Sequence, residues 1–69
     1  MYAKIAFPIS NYKTFSYRIP NELIDKLKLG TRVEAPFGSR LVKGIVVEFE
    51  KKVSFKGKVK NIISIVDDI

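Results

Sequence analysis

The stretch GTRVEAPFGSRLVKGIVVEF, residues 30–49, decides the fold. Thr31, Val33, Ala35 and Phe37 alternate with Arg32, Glu34 and Pro36, the two-residue period of a half-buried strand. The FGSR segment then turns the chain. A second strand is predicted from about residue 41 to residue 50, with Ile45, Val47 and Phe49 inward and Glu48 and Glu50 outward. Gly44 inside that run predicts a bend or bulge, as the corner of a barrel needs. The turn is unusual in one respect. Gly38 offers main chain that a ligand could approach without a Cβ in the way, and Arg40 sets fixed positive charge beside it. On local sequence Gly38 reads first as a plain turn residue, and the ligand-approach reading stands second to it.

Working outward, Ala3, Ile5 and Phe7 alternate with Tyr2, Lys4 and Ala6, a strand ended by Pro8. Lys13, Phe15, Tyr17 and Ile19 alternate with Thr14, Ser16 and Arg18, a strand stopped at Pro20. The segment NELIDKLKLG, residues 21–30, reads as one or two helical turns. Asn21 serves as cap, Leu23, Ile24 and Leu27 share a face, and Gly30 closes the end. A helix that short needs packing to exist. A last strand is predicted over residues 59–66, after a basic loop or hairpin tip. Five short strands and one short helix predict an all-β domain, a small and mostly antiparallel β-barrel of the OB or SH3 type.

The 69 residues allow one domain at most, with a modest core. With no Cys and no His, a disulfide framework and a Cys/His zinc site are both excluded, and no metal or cofactor is expected. The first ten residues alternate and carry Lys4 and Pro8, unlike a signal peptide, and no apolar run is long enough to span a bilayer. A cytoplasmic location and no membrane partner are expected. Thirteen basic against seven acidic side chains give a net charge of +6, which suits an anionic partner such as nucleic acid or serves solubility alone. Residues 51–60 concentrate five Lys with no acid.

Catalytic equipment is sparse. No pair of carboxylates or lysines is set apart by spacing, and neither FGSR nor FKGK fits a phosphate-binding loop, so the chain is not expected to be an enzyme. Binding chemistry is richer, because Phe and Tyr are interleaved with Lys and Arg, the combination that holds single-stranded nucleic acid. Phe37 and Phe49 fall on inward sets and read as core. Phe15 is core by its alternation, whereas Tyr12 and Phe55 fall in loops and are freer to stack. Arg18, Arg40, Lys43 and Lys58 are either solvated charge or phosphate contacts, and Lys60 is ambiguous in the same way.

Three ordered segments resemble a known family. TFSYRIP (residues 14–20), GTRVEAPFG (residues 30–38) and GIVVEF (residues 44–49) are similar to the amino-terminal 3′-DNA-binding domain of PriA-type primosomal helicases, also called primosomal protein N-prime. The closing KVKNIISIVDD resembles that family's last strand. The resemblance implies that residues 1–69 are a single 3′-DNA-binding domain, the amino-terminal fragment of a longer replication-restart helicase whose motor domains lie further along. It implies a pocket for the 3′ end of a nascent DNA strand at a stalled fork. Its residues here would be Phe15, Ser16 (where family members often carry Asp), Gly38 and Lys60. Phe15 would fix its strand through the main chain, offering its carbonyl, while its ring packs inward. The implied partners are DNA with a free 3′ end, the helicase domains of the same chain, and other primosome and single-strand-binding proteins, in the bacterial nucleoid. A general single-strand DNA or RNA barrel and a protein-interaction barrel remain the alternatives.

Overall fold

Alternation of apolar and polar residues builds five strands into one antiparallel sheet. The computed structural model describes residues 1–8, 13–52 and 58–66. The strands are β1 (Tyr2–Ala6), β2 (Thr14–Arg18), β3 (Arg32–Phe37), β4 (Arg40–Glu50) and β5 (Ser64–Ile65), in the order β2-β1-β4-β3-β5. One face buries Ala3, Ile5, Tyr17, Val33, Ala35 and Val46, joined by Phe7, Ile19, Leu27 and Ile62. The all-β, antiparallel architecture is the one the sequence predicts.

The long strand β4 departs from its predicted phase. Lys4 stands opposite Glu48 and Ile5 opposite Val46, so Val47 is an extra residue in the ladder. A bulge of this kind sets two consecutive residues against one and resets the alternation. Val46 is thereby buried, whereas Ile45 and Val47 are 43% and 44% exposed on the opposite face. The inward assignment of Ile45 and Val47 is therefore wrong. Phe49, opposite Ala3, does lie on the core side, but at its margin and 37% exposed. Gly44 is not the bulge. A Cβ there would stand 2.5 Å from Ile5 Cγ2 and 2.9 Å from the Ala6 carbonyl oxygen, so the glycine lets β1 approach β4.

The predicted helix is a single 3-10 turn, Asn21–Leu23. Asn21 begins the turn instead of capping it, because Pro20 occupies the cap position and no side-chain cap bond forms. Leu27 is buried and Leu23 packs on the core, but Ile24 is exposed, since so short a turn presents no second helical row. Gly30, at φ +91°, ends the segment and its N–H donates to the Val46 carbonyl at 2.8 Å.

The sheet curls without closing into a barrel. The Tyr17 hydroxyl donates to the Pro36 carbonyl at 2.6 Å, linking β2 to β3 although the two are not neighbours in the ladder. Residues 60–63 then lie across the gap. The Arg18 N–H donates to the Lys60 carbonyl at 2.9 Å, the Ile62 N–H to the Arg18 carbonyl at 3.0 Å, and the Ile63 N–H to the Glu34 carbonyl at 2.8 Å. The segment is thus shared between two edges, and only Ser64–Ile65 forms a regular strand where residues 59–66 were predicted. Tyr12, Phe55 and the middle of the basic loop lie outside the described residues.

Candidate nucleic-acid interface

The curl leaves a cavity of about 360 Å³ between the β2 edge, the β3–β4 turn and residues 58–60. Its walls come from Thr14, Phe15, Ser16 and Tyr17 on one side, Pro36, Phe37 and Gly38 on the second, and Lys58, Val59 and Lys60 on the third. The floor is aromatic. The Phe15 and Phe37 rings meet edge-on with centroids 5.1 Å apart, and Phe7 lies behind them at 6.2 Å and 5.3 Å. Phe7 in turn takes the Tyr17 ring edge-on at 5.8 Å. Offset and edge-on pairs are the favourable aromatic geometries, so this cluster fixes its members. Phe15 belongs to the core side of its strand, as alternation predicts, yet is 37% exposed because it sits at the lip of the cavity.

Main-chain direction follows from the β1–β2 register. The Ile19 N–H donates to Met1 and the Phe7 N–H to Lys13, so Lys13, Phe15, Tyr17 and Ile19 turn their main-chain groups toward β1. The Phe15 carbonyl is accordingly spent on the ladder with Ile5 and is not offered to the cavity, contrary to expectation. Ser16 alternates with it, and its N–H and C=O face outward, as those of Arg18 do toward Lys60 and Ile62. The Ser16 hydroxyl is occupied elsewhere, donating to Glu50 Oε1 at 2.8 Å. That carboxylate also lies 3.9 Å from the Lys4 ammonium, through its other oxygen.

Gly38 is the first residue of a two-residue hairpin loop between the paired Phe37 and Arg40, and its φ is +64°. Turns of this class require a positive φ there, which accounts for glycine on local grounds. The space above it is also open, with nothing within 4 Å of where a Cβ would be. Lys58 and Lys60 are exposed at the mouth, and among the described residues neither pairs with a carboxylate. A cavity with an aromatic floor, free strand-edge groups, a bare glycine and two ammonium groups has the chemistry to hold a nucleotide: a ring to meet a base, main chain to reach a sugar, and charge for a phosphate.

The model of the PriA 3′ DNA-binding domain (3′BD) matches residues 4–69 of this chain. The chain belongs to the PriA 3′ DNA-binding domain family. This 3′BD is therefore a binding module for DNA 3′ ends, not a catalytic domain, and the general nucleic-acid barrel and the protein-interaction barrel are not favoured. Among curated proteins, none matches the chain.

The 3′BD brings Phe15, Ser16, Gly38 and Lys60 together around one cavity, with Lys58 beside them. The other candidate cations lie apart from it. Arg18 is exposed on β2 and does not line the cavity, and Arg40 follows the turn, outside the lining. Lys43 lines a separate cleft on the opposite face of the sheet. Two contributors were missed in the sequence. Tyr17 and Pro36 tie the cavity's sides together, but a bond between residues 19 positions apart leaves no mark in local pattern. Among the described residues no helix is long and apolar enough to cross a membrane.

Proposed function

We propose that this 3′BD captures the 3′-hydroxyl end of a nascent strand at a stalled replication fork, for a replication-restart helicase whose amino-terminal domain it forms. The terminal base lies against the Phe15 ring. The terminal sugar approaches the main chain at Gly38, where no Cβ intervenes. The free edge of Ser16 supplies a donor and an acceptor that do not depend on its side chain, so serine in place of aspartate is accommodated. Lys60 and Lys58 neutralise the last phosphates, which positions the strand without reading its sequence. ATP-dependent unwinding belongs to the motor domains of the same chain, which are the domain's nearest partners, with other primosome and single-strand-binding proteins beyond them. The setting is the cytoplasm, at the nucleoid.

The observation that supports this reading is the meeting of Phe15, Ser16, Gly38 and Lys60 on one cavity, although they come from three separate segments. The test compares oligonucleotides that differ only at their 3′ ends. A pocket that hydrogen-bonds a terminal hydroxyl leaves its own groups unpaired when that hydroxyl is replaced, and a phosphate adds bulk and charge in the same space. Free 3′-OH DNA should bind at least tenfold better than 3′-phosphorylated DNA, about 1.4 kcal/mol. Blocking the 5′ end should change little. Gly38→Val should abolish the difference, and Lys60→Ala should weaken both DNAs alike. Equal affinity of the unaltered domain for the two ends would sink the proposal.

A further inference from the structure

The floor of the terminus cavity is not a platform. The Phe15 and Phe37 rings are inclined to each other at 62°, and Phe7 behind them is inclined at 42° to the first and 48° to the second. Rings that share no plane give one base a face to lie on and a second ring beside its edge. A base pair is a single flat plate as wide as two bases, and it finds no matching surface there. The order of the groups across the cavity has the same consequence. Lys58 and Lys60 stand at the mouth, Gly38 lies on the wall at the β3–β4 turn, and the rings form the floor. A nucleotide whose phosphate meets the ammonium groups and whose sugar meets Gly38 points its base inward. The pairing edge of a base lies opposite its bond to the sugar, so that edge faces into the cavity. The walls it meets are residues 14–17 of the β2 edge and the Pro36–Phe37 end of β3, tied together by the Tyr17 hydroxyl on the Pro36 carbonyl. A complementary strand cannot occupy the space that these segments fill.

We infer that the substrate of this cavity is a 3′ end whose last base is unpaired, a frayed, mismatched or single-stranded terminus, and not the intact paired end of a duplex. This rests on the reading proposed above, in which the last nucleotide enters the cavity. A paired end binds only after its last base leaves the stack, and the cost of that step is least for a base that is already mismatched. The domain therefore favours ends whose last nucleotide is badly paired over ends that are ready for extension.

The test titrates the unaltered chain into fluorescent primer–template duplexes. The primer's 3′-OH end is recessed on a longer template, and the template's own 3′ end is phosphorylated. Three versions differ at the primer's last nucleotide, which is paired, mismatched, or held in its pair by an interstrand cross-link. The mismatched end should bind about tenfold more tightly than the paired one, the factor that one stacking step is worth. The cross-linked end should bind more weakly than either. A mismatch at the primer's 5′ end should bring no gain. Equal affinity for the paired and mismatched 3′ ends overturns the inference. So does an equal gain from the 5′ mismatch, which would mean general single-strand binding. A 3′-phosphate on the mismatched primer separates this inference from the reading beneath it. If the phosphate weakens binding while paired and mismatched ends bind alike, recognition of the hydroxyl stands and the unpaired-base requirement falls. If the mismatch gain survives the phosphate undiminished, the unpaired-base requirement stands and recognition of the hydroxyl falls.

Discussion

The Tyr17 hydroxyl donates to the Pro36 carbonyl at 2.6 Å, across two strands that share no ladder. Burial also raises the Tyr17 pKa above its ordinary 10.0, because the phenolate would lose its water. The hydroxyl therefore stays protonated and keeps donating throughout the neutral range. Tyr17→Phe should cost about 1 kcal/mol, the net worth of one hydrogen bond. In a domain of this size that lowers the melting temperature by roughly 4–8 °C. The raised folded pKa also fixes the sign of a pH effect. The unfolded phenol titrates near pH 10, so the stability is intact below that point and is lost as pH rises through the folded value. Melts between pH 8 and 11.5 should show a smaller alkaline loss for Tyr17→Phe than for the parent. Identical slopes would mean that Tyr17 ionises as freely in the fold as out of it. At this scale the sequence is half legible. Alternation places Tyr17 in the core, but its partner belongs to another strand and could not be read.

At the scale of elements, β4 carries the lesson. Strands β1 and β3 keep strict alternation, and their buried residues, Ala3, Ile5, Val33 and Ala35, are the predicted ones. In β4 the same rule fails because a bulge is a property of the pair, fixed by how β1 registers against it, and Val47 looks no different from its neighbours in sequence. Val46→Ala should cost about 2 kcal/mol, since buried methyl groups go and a cavity stays. Ile45→Ala and Val47→Ala should remain within about 0.5 kcal/mol, as exposed positions do. Denaturant melts of the three variants check the phase directly, and larger losses at Ile45 and Val47 than at Val46 would return β4 to unbroken alternation. Gly44→Ala tests the other half of the argument. Its methyl would meet Ile5 and the Ala6 carbonyl, so β1 must move away from β4, and the variant should melt below the parent. The terminus cavity was legible only through resemblance, because Phe15, Gly38 and Lys60 each have an adequate local explanation. The cleft on the outer face is not legible at all, because unbroken alternation assigns Ile45 and Val47 to the core.

For the molecule as a whole, the +6 charge sets a field, but only part of it faces the cavity. Lys58 and Lys60 stand at the mouth, whereas Lys43 is on the far face and Lys4 is matched to Glu48 and Glu50 at 3.9 Å each. Affinity for a short 3′-ended strand should therefore fall with salt by only a few counterions. The slope is about −0.7 per phosphate for single strands, which gives roughly −1 to −3 on a log–log plot. Lys60→Ala should lower the slope's magnitude by roughly one phosphate equivalent. A flat plot would remove the phosphate contacts. The placement of the cavity also governs when it comes into being. Its three walls are residues 14–17, 36–38 and 58–60, and each is separated from the next by a loop of roughly twenty residues whose closure costs entropy before any contact repays it. Local pairing, such as the tight β3–β4 hairpin, has no such delay. Strands β3 and β4 can thus zip early on a growing chain, while the cavity proposed to receive the DNA end waits for residues near position 60 to leave the ribosome and lie across Arg18. A nascent chain cut short of them would hold a hairpin and no cavity, so on the proposed reading affinity for a DNA end appears only once those residues are in place.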